Sequence, residues 1–174
     1  MSDKKYELTE NKIYAHGKAL YQIKALVSFG NVEAGELGGY IEKESNLSQY
    51  GDAWVYGDAK VFGDALVSGN AWVSGNAWVS GDAKVSGNAE VYSDAEIFKS
   101  THYLVIGAIG SRNDFTTFFR TKTKEIFVKC GCFKGNIDEF KEAVAKTHGE
   151  NKHAKTYLLA IELAKAQIEL ESEE

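Results

Sequence analysis

Four side chains in the last third of the chain have the residue types of a metal site: Cys130, Cys132, His148 and His153. Their pattern, C-x-C-x15-H-x4-H, resembles zinc spacing, in which thiolates and imidazoles complete a tetrahedron. Structural zinc more often takes cysteine pairs spaced C-x2-C from a turn. His148 also precedes Gly149, where a helix end alone accounts for both residues. Cys130 and Cys132 flank Gly131 on what reads as a strand, so both thiols should point to one face, and cysteine is a common buried strand residue. No metal and no cofactor is assigned.

The second constellation is the segment GAIGSRNDF, Gly107 to Phe115. Ser111, Arg112, Asn113 and Asp114 between two strands could cradle an anion. The preferred reading is a polar hairpin loop whose Asn and Asp cap their own turn. The third is a set of tryptophans, Trp54, Trp72 and Trp78, inside a repetitive stretch. Indoles in outward positions suit a protein interface.

The three tryptophans are positioned by one element. From Gly51 the chain repeats a six-residue phrase: GDAWVY, GDAKVF, GDALVS, GNAWVS, GNAWVS, GDAKVS, GNAEVY and SDAEIF, with SNLSQY from Ser45 as a degraded first copy. Period six fits no helix, and a turn dipeptide interrupts every alternation, so the expected fold is a β-solenoid. Val or Ile at the fifth position should point inward, Ala at the third should sit inside near a corner, and Gly with Asp or Asn should make the corner. The phrase resembles the hexapeptide repeat of left-handed parallel β-helices, three hexads to a triangular coil. That likeness implies three coils over 45–98, a short prism with two ends to cover.

Composition bounds the rest. The 174 residues can bury a core, show no disordered bias, and contain no signal peptide and no apolar run of membrane-spanning length. Two closely spaced cysteines suit a reducing compartment, so a cytosolic protein is expected. The net charge of −5 is uneven: −6 over residues 1–98, +5 over 99–158 and −4 over 159–174. This balance disfavours general nucleic-acid binding while leaving a local anion site open in the basic segment.

Taken in order, residues 5–9 and 12–16 read as a hairpin, Leu20 to Phe29 as a longer strand, and Val32 to Ile41 as the entry to the first coil. Residues 1–44 are expected to form a small β cap, with His16 a hairpin-turn residue. Within the solenoid, residues eighteen apart stack. The sixth positions give Tyr50, Tyr56 and Phe62 in the first coil, serines in the second, and Tyr92 and Phe98 in the third. The first three are expected under the N-terminal cap and the last two under the C-terminal module. The fourth positions stack Trp54, Trp72 and Glu90 on one face and Lys60, Trp78 and Glu96 on the next, making the tryptophans candidates for an interface with a partner or a second copy. The corner columns Asp64–Asp82 and Asp58–Asn76–Asp94 could hold a cation, but turn geometry alone explains Asp and Asn there. Residues 99–174 read as an α+β module. Its three strands are Tyr103 to Ile109, Phe115 to Thr121 and Glu125 to Cys130. A helix from about Ile137 to Thr147 follows, capped by Asn136 and Glu139. A second helix from Lys152 carries the stripe Ala154, Tyr157, Leu158, Ile161, Ala164 and Ile168. The expected class is thus mainly β.

The segments Tyr6 to Ile13, Ala34 to Glu42, Gly51 to Phe98, Ile109 to Phe119 and Cys130 to Phe140 together resemble small hexapeptide-repeat proteins of bacteriophages and prophages, over nearly the full length. The likeness implies a phage-borne accessory protein acting in the host cytosol. By association, such proteins include inhibitors of host defence, anti-CRISPR proteins among them. The leading expectation is a non-enzymatic protein that binds a host protein target and self-associates as a dimer or trimer, without membrane. The alternatives are an acyltransferase and a self-assembling structural solenoid. Hexapeptide-repeat acyltransferases use a coil-borne His as general base and a loop thrown out of the prism. Here no His lies between His16 and His102, and the hexads run without insertion. Dedicated caps oppose end-to-end polymerisation.

Overall fold

The computed structural model describes residues 4–171. These fall into two compact units, Met1–Ser100 and Thr101–Glu174.

The first unit is a β-solenoid of three turns. Its strands are two residues each: β4 (Trp54–Val55), β5 (Lys60–Val61), β6 (Leu66–Val67), β7 (Trp72–Val73), β8 (Trp78–Val79), β9 (Lys84–Val85), β10 (Glu90–Val91) and β11 (Glu96–Ile97). Parallel pairing eighteen residues apart builds three faces, β4-β7-β10, β5-β8-β11 and β6-β9. Every third-position Ala and every fifth-position Val or Ile of the eight clean hexads is buried, as the period requires. Six-residue turns close because each hexad opens on a residue with positive φ, seven glycines and then Ser93 at 59°. At Gly51 a second constraint applies. A Cβ there would stand 2.5 Å from the Gly69 carbonyl oxygen of the coil above, so the corner excludes side chains as well as favouring glycine.

Each coil donates its N–H groups to carbonyls of the next, as Trp54 N does to Ala71 O at 3.0 Å, so the first coil's own carbonyls need donors from elsewhere. Each face meets this differently. On one, β3 (Leu37–Ile41) pairs in parallel with β5, and the Tyr40 and Glu42 amides donate to Ala59 and Val61. On another, buried Asn46 of the degraded hexad donates through Nδ2 to Gly63 O at 3.1 Å and Ala65 O at 2.8 Å. On the third, Lys5 Nζ donates to Gly51 O at 3.3 Å and Ala53 O at 2.8 Å, beneath the Phe29 ring. Burial lowers the Lys5 pKa to about 8, with nearby Asp52 opposing the shift. Because the native pKa lies below the unfolded one, burial of the charge costs stability at and below pH 8. That cost is relieved as pH rises from 8 towards 10.5. Urea melts should therefore show the wild type gaining stability relative to Lys5→Met between pH 7.5 and 9.5. A pH-independent difference would mean the amine is not desolvated.

Residues upstream depart from the expected order. One strand, β1 (Tyr6–Ala15), replaces the hairpin expected over 5–16. Glu10 and Asn11 lie in a register shift between Leu8 and Lys12, and the turn falls at His16-Gly17. β2 (Lys18–Ala25) ends sooner than expected, and β1-β2-β3 continue the β5-β8-β11 face as one six-stranded sheet. His16 is the hairpin-turn residue anticipated, with φ 50°. Its ring stacks on Phe62 (centroids 5.3 Å apart) and meets Trp78 edge-on at 4.5 Å. Phe62 is buried as expected, but Tyr50 and Tyr56 are 79% and 44% exposed, so they do not pack beneath the N-terminal strands.

The second unit is an antiparallel meander carrying two helices: β12 (Tyr103–Ile109), β13 (Asp114–Arg120), β14 (Ile126–Cys130), β15 (Phe133–Asn136), α1 (Ile137–His148) and α2 (Lys152–Gln167). The fourth strand is a correction. Gly131 has φ 57°, so Gly131-Cys132 is a two-residue turn and the chain returns along β14 to Asn136. The capping box forms, with Glu139 N donating to Asn136 Oδ1 and Asn136 N to Glu139 Oε2, both at 2.9 Å. Phe118, Val128, Phe140, Val144, Tyr157 and Ile161 make the core. Leu158 is not in it: Ala160 takes that place on the stripe, and Leu158 is exposed. No helix among the described residues is long and apolar enough to cross a membrane.

Candidate functional site

The three tryptophans have three different environments. Trp54 is fully buried, contrary to its expected place at an interface. Phe29 meets it edge-on at 5.3 Å and Tyr6 at 6.2 Å, and Gly38 lets β3 close over it, since a Cβ there would stand 2.8 Å from the indole. Trp78 is half-buried, bordered by His16 and by Lys60, whose Nζ lies 6.0 Å from its ring. Trp72 is half-buried directly above Trp54, with Glu90 next in the row. Tyr56 ends the hexad that lays down β4, and Tyr50 ends the hexad before it, whose Leu47 bridges to Val67 of β6, so the two exposed tyrosines stand at the two corners of the face on which Trp72 lies. The corner columns hold themselves together: Asn70 Nδ2 donates to Asn88 Oδ1 at 3.1 Å, and Asn76 Nδ2 to Asp94 Oδ1 at 3.4 Å.

In the second unit, parts of the two chemical constellations converge. A solvent-open cleft of about 200 Å³ is lined by Ser111, Arg112, Cys130, Cys132, His148 and Tyr157 over a floor that includes Phe133 and Phe140. The anion loop therefore divides. Ser111 and Arg112 line the cleft, whereas Asn113 and Asp114 build the turn. Asn113 adopts φ 51° and donates its N–H to Gly110 O, and Asp114 Oδ1 accepts from Phe115 N at 2.7 Å. The Arg112 guanidinium lies against Gly131, where a Cβ would stand 3.1 Å from Nη1.

The cysteines are not two residues of one strand, although both line the cleft. Cys132 is exposed in the turn, so the shared strand face expected for the two thiols does not exist. Cys130 is half-buried. Its sulfur accepts from Thr116 Oγ1 at 3.3 Å and its S–H donates to Tyr157 Oη at 3.7 Å. Burial, reinforced by Cys130, pushes the Tyr157 phenol up to about 12, which keeps it protonated at neutral pH. His153 stands behind His148, rings 5.7 Å apart, and does not line the cleft. Among the described residues no group of three or more His, Cys, Asp or Glu side chains could hold a metal ion. The cleft offers one cation, a protonated phenol and apolar walls. Those features can seat a small anion.

No protein-family model matches the chain, and no curated protein matches it.

Proposed function

We propose that this chain is a non-enzymatic binding protein that holds a protein partner on the solenoid face bearing Trp72, with Tyr50 and Tyr56 at its two corners. The exposure of those aromatics carries the reading. Tyr and Trp bring large, stiff contact areas with a polar handle, and interfaces concentrate binding energy in them. The phage-protein likeness makes the target a host factor, of a defence system such as CRISPR, met in the bacterial cytosol. In this reading the solenoid is left-handed, as the hexapeptide likeness implies, and residues 1–44 serve as its end cover.

Tagged wild-type protein and a Tyr50→Ser/Tyr56→Ser/Trp72→Ser variant are compared for capture of partners from host lysate. Loss of the wild-type partner is expected, with an unchanged circular-dichroism melt. Undiminished capture of the same partner by the folded variant would remove this face from the function. Calorimetry with coenzyme A separates the acyltransferase alternative: no binding is expected, and micromolar affinity would reverse the non-enzymatic reading.

A further inference from the structure

Helix α2 is apolar on two sides. One side, with Ala154, Tyr157, Ile161 and Ala164, is buried in the core of its own unit. On the other, Leu158, Leu159 and Leu163 are 43%, 71% and 51% exposed. Leu159 and Leu163 also wall a groove of about 200 Å³ whose far side is Ile106 and Ile109 of β12, an edge strand of its sheet. A lone exposed leucine needs no explanation, but a contiguous set beside an apolar groove marks an interaction surface.

We propose that this surface docks a second copy of the chain, the two α2 helices packing antiparallel about a two-fold axis. The outward residues Lys152, Thr156, Leu159, Leu163 and Ala166 follow a four-three-four-three spacing, the seam along which helices interlock. Lys155 and Glu162 flank that seam on the same side, two turns apart. In an antiparallel pair each Lys155 meets the partner's Glu162, so one patch is complementary to itself, as an isologous interface requires. A parallel pair would set Lys155 across from the opposite flank of the partner helix, where Ala160 offers no charge, and would leave Glu162 equally unmatched. Only a second copy laid antiparallel supplies both charges at matching heights, with Glu162 turning to the partner's Lys155 from its 3.6 Å approach to Lys165 on the same helix. The inference does not rest on the aromatic face of the solenoid.

Analytical ultracentrifugation of the full chain over a micromolar concentration series tests it. A monomer–dimer equilibrium is expected, and Leu159→Lys should raise the dissociation constant at least about 30-fold, because a central apolar anchor is replaced by a charge. As Leu159 is exposed, that variant should keep its circular-dichroism melt. Lys155→Glu and Glu162→Lys should each weaken the dimer, and the two combined should restore it. A wild type that stays monomeric throughout, a trimer, a folded Leu159→Lys variant that dimerises as the wild type does, or a dimer lost only with Trp72→Ser would each overturn the proposal.

Discussion

Val73→Asp should unfold the solenoid while Ser74→Asp, one residue on, leaves it standing. Val73 is completely buried at the middle of the prism, with Val55 and Val91 its partners in the coils on either side. An aspartate there would place a carboxylate among aliphatic side chains with no donor within reach. It must either remain charged and unpaired or take a proton at a cost. Losing the valine packing adds to this, for a destabilisation of about 4 kcal/mol or more, a large part of the stability of a domain this size. Ser74 is partly exposed, and its hydroxyl has only a long 3.5 Å approach to Val91 O, so aspartate there should cost under about 1 kcal/mol. Chemical denaturation followed by circular dichroism separates the two. Equal midpoints would mean that the fifth position does not face inward.

The solenoid was legible because its demands are local and repeated. Positive φ asks for glycine at each corner, the small corner volume for alanine and the stacked interior for valine, and eight copies say so together. Ser93 is informative here, since it adopts the glycine conformation where the phrase has lost its glycine. The ends were less legible because they are single-copy solutions to a hydrogen-bonding requirement. Nothing in the spacing of Lys5 or Asn46 shows that one side chain will reach two carbonyls of the first coil. Glu10-Asn11 reads as a turn by residue type, yet the strand runs through it with a register shift.

The C-terminal sheet shows the same division. Asn136 and Glu139 satisfy neighbouring amides, so the helix start could be read directly. Cys130-Gly131-Cys132 reads as a continuing strand by its alternation, whereas Gly131 at φ 57° turns the chain. The available signal was Gly131 followed by Phe133, Lys134 and Gly135, a short run able to pair back on β14. That turn takes Cys132 off β14 and lays Gly131 against Arg112, so both cysteines line the cleft beside it, a juxtaposition no linear spacing reveals.

Trp54→Ala should be nearly as damaging as Val73→Asp, although Trp54 occupies the same hexad position as Trp72. Repeat position decides only that both indoles leave the prism on one face. Long-range chain placement decides which is covered, and Phe29, Tyr6 and β3 close over the lower one. Truncating a fully buried tryptophan removes its transfer energy and leaves a cavity between the coil and the N-terminal strands, about 3–5 kcal/mol. Trp54→Phe should cost much less. The Trp54 Nε1–H is buried without a hydrogen-bond partner among the described residues, so phenylalanine gives up packing but also removes an unsatisfied donor. Trp72→Ser, at a half-exposed site, should sit closer to the wild type than Trp54→Ala does. Thermal melts of the three variants should therefore rank Trp54→Ala far below the other two. If Trp72→Ser were the most destabilised, the N-terminal strands would not be covering the first coil, and the face available to a partner would have to include Trp54.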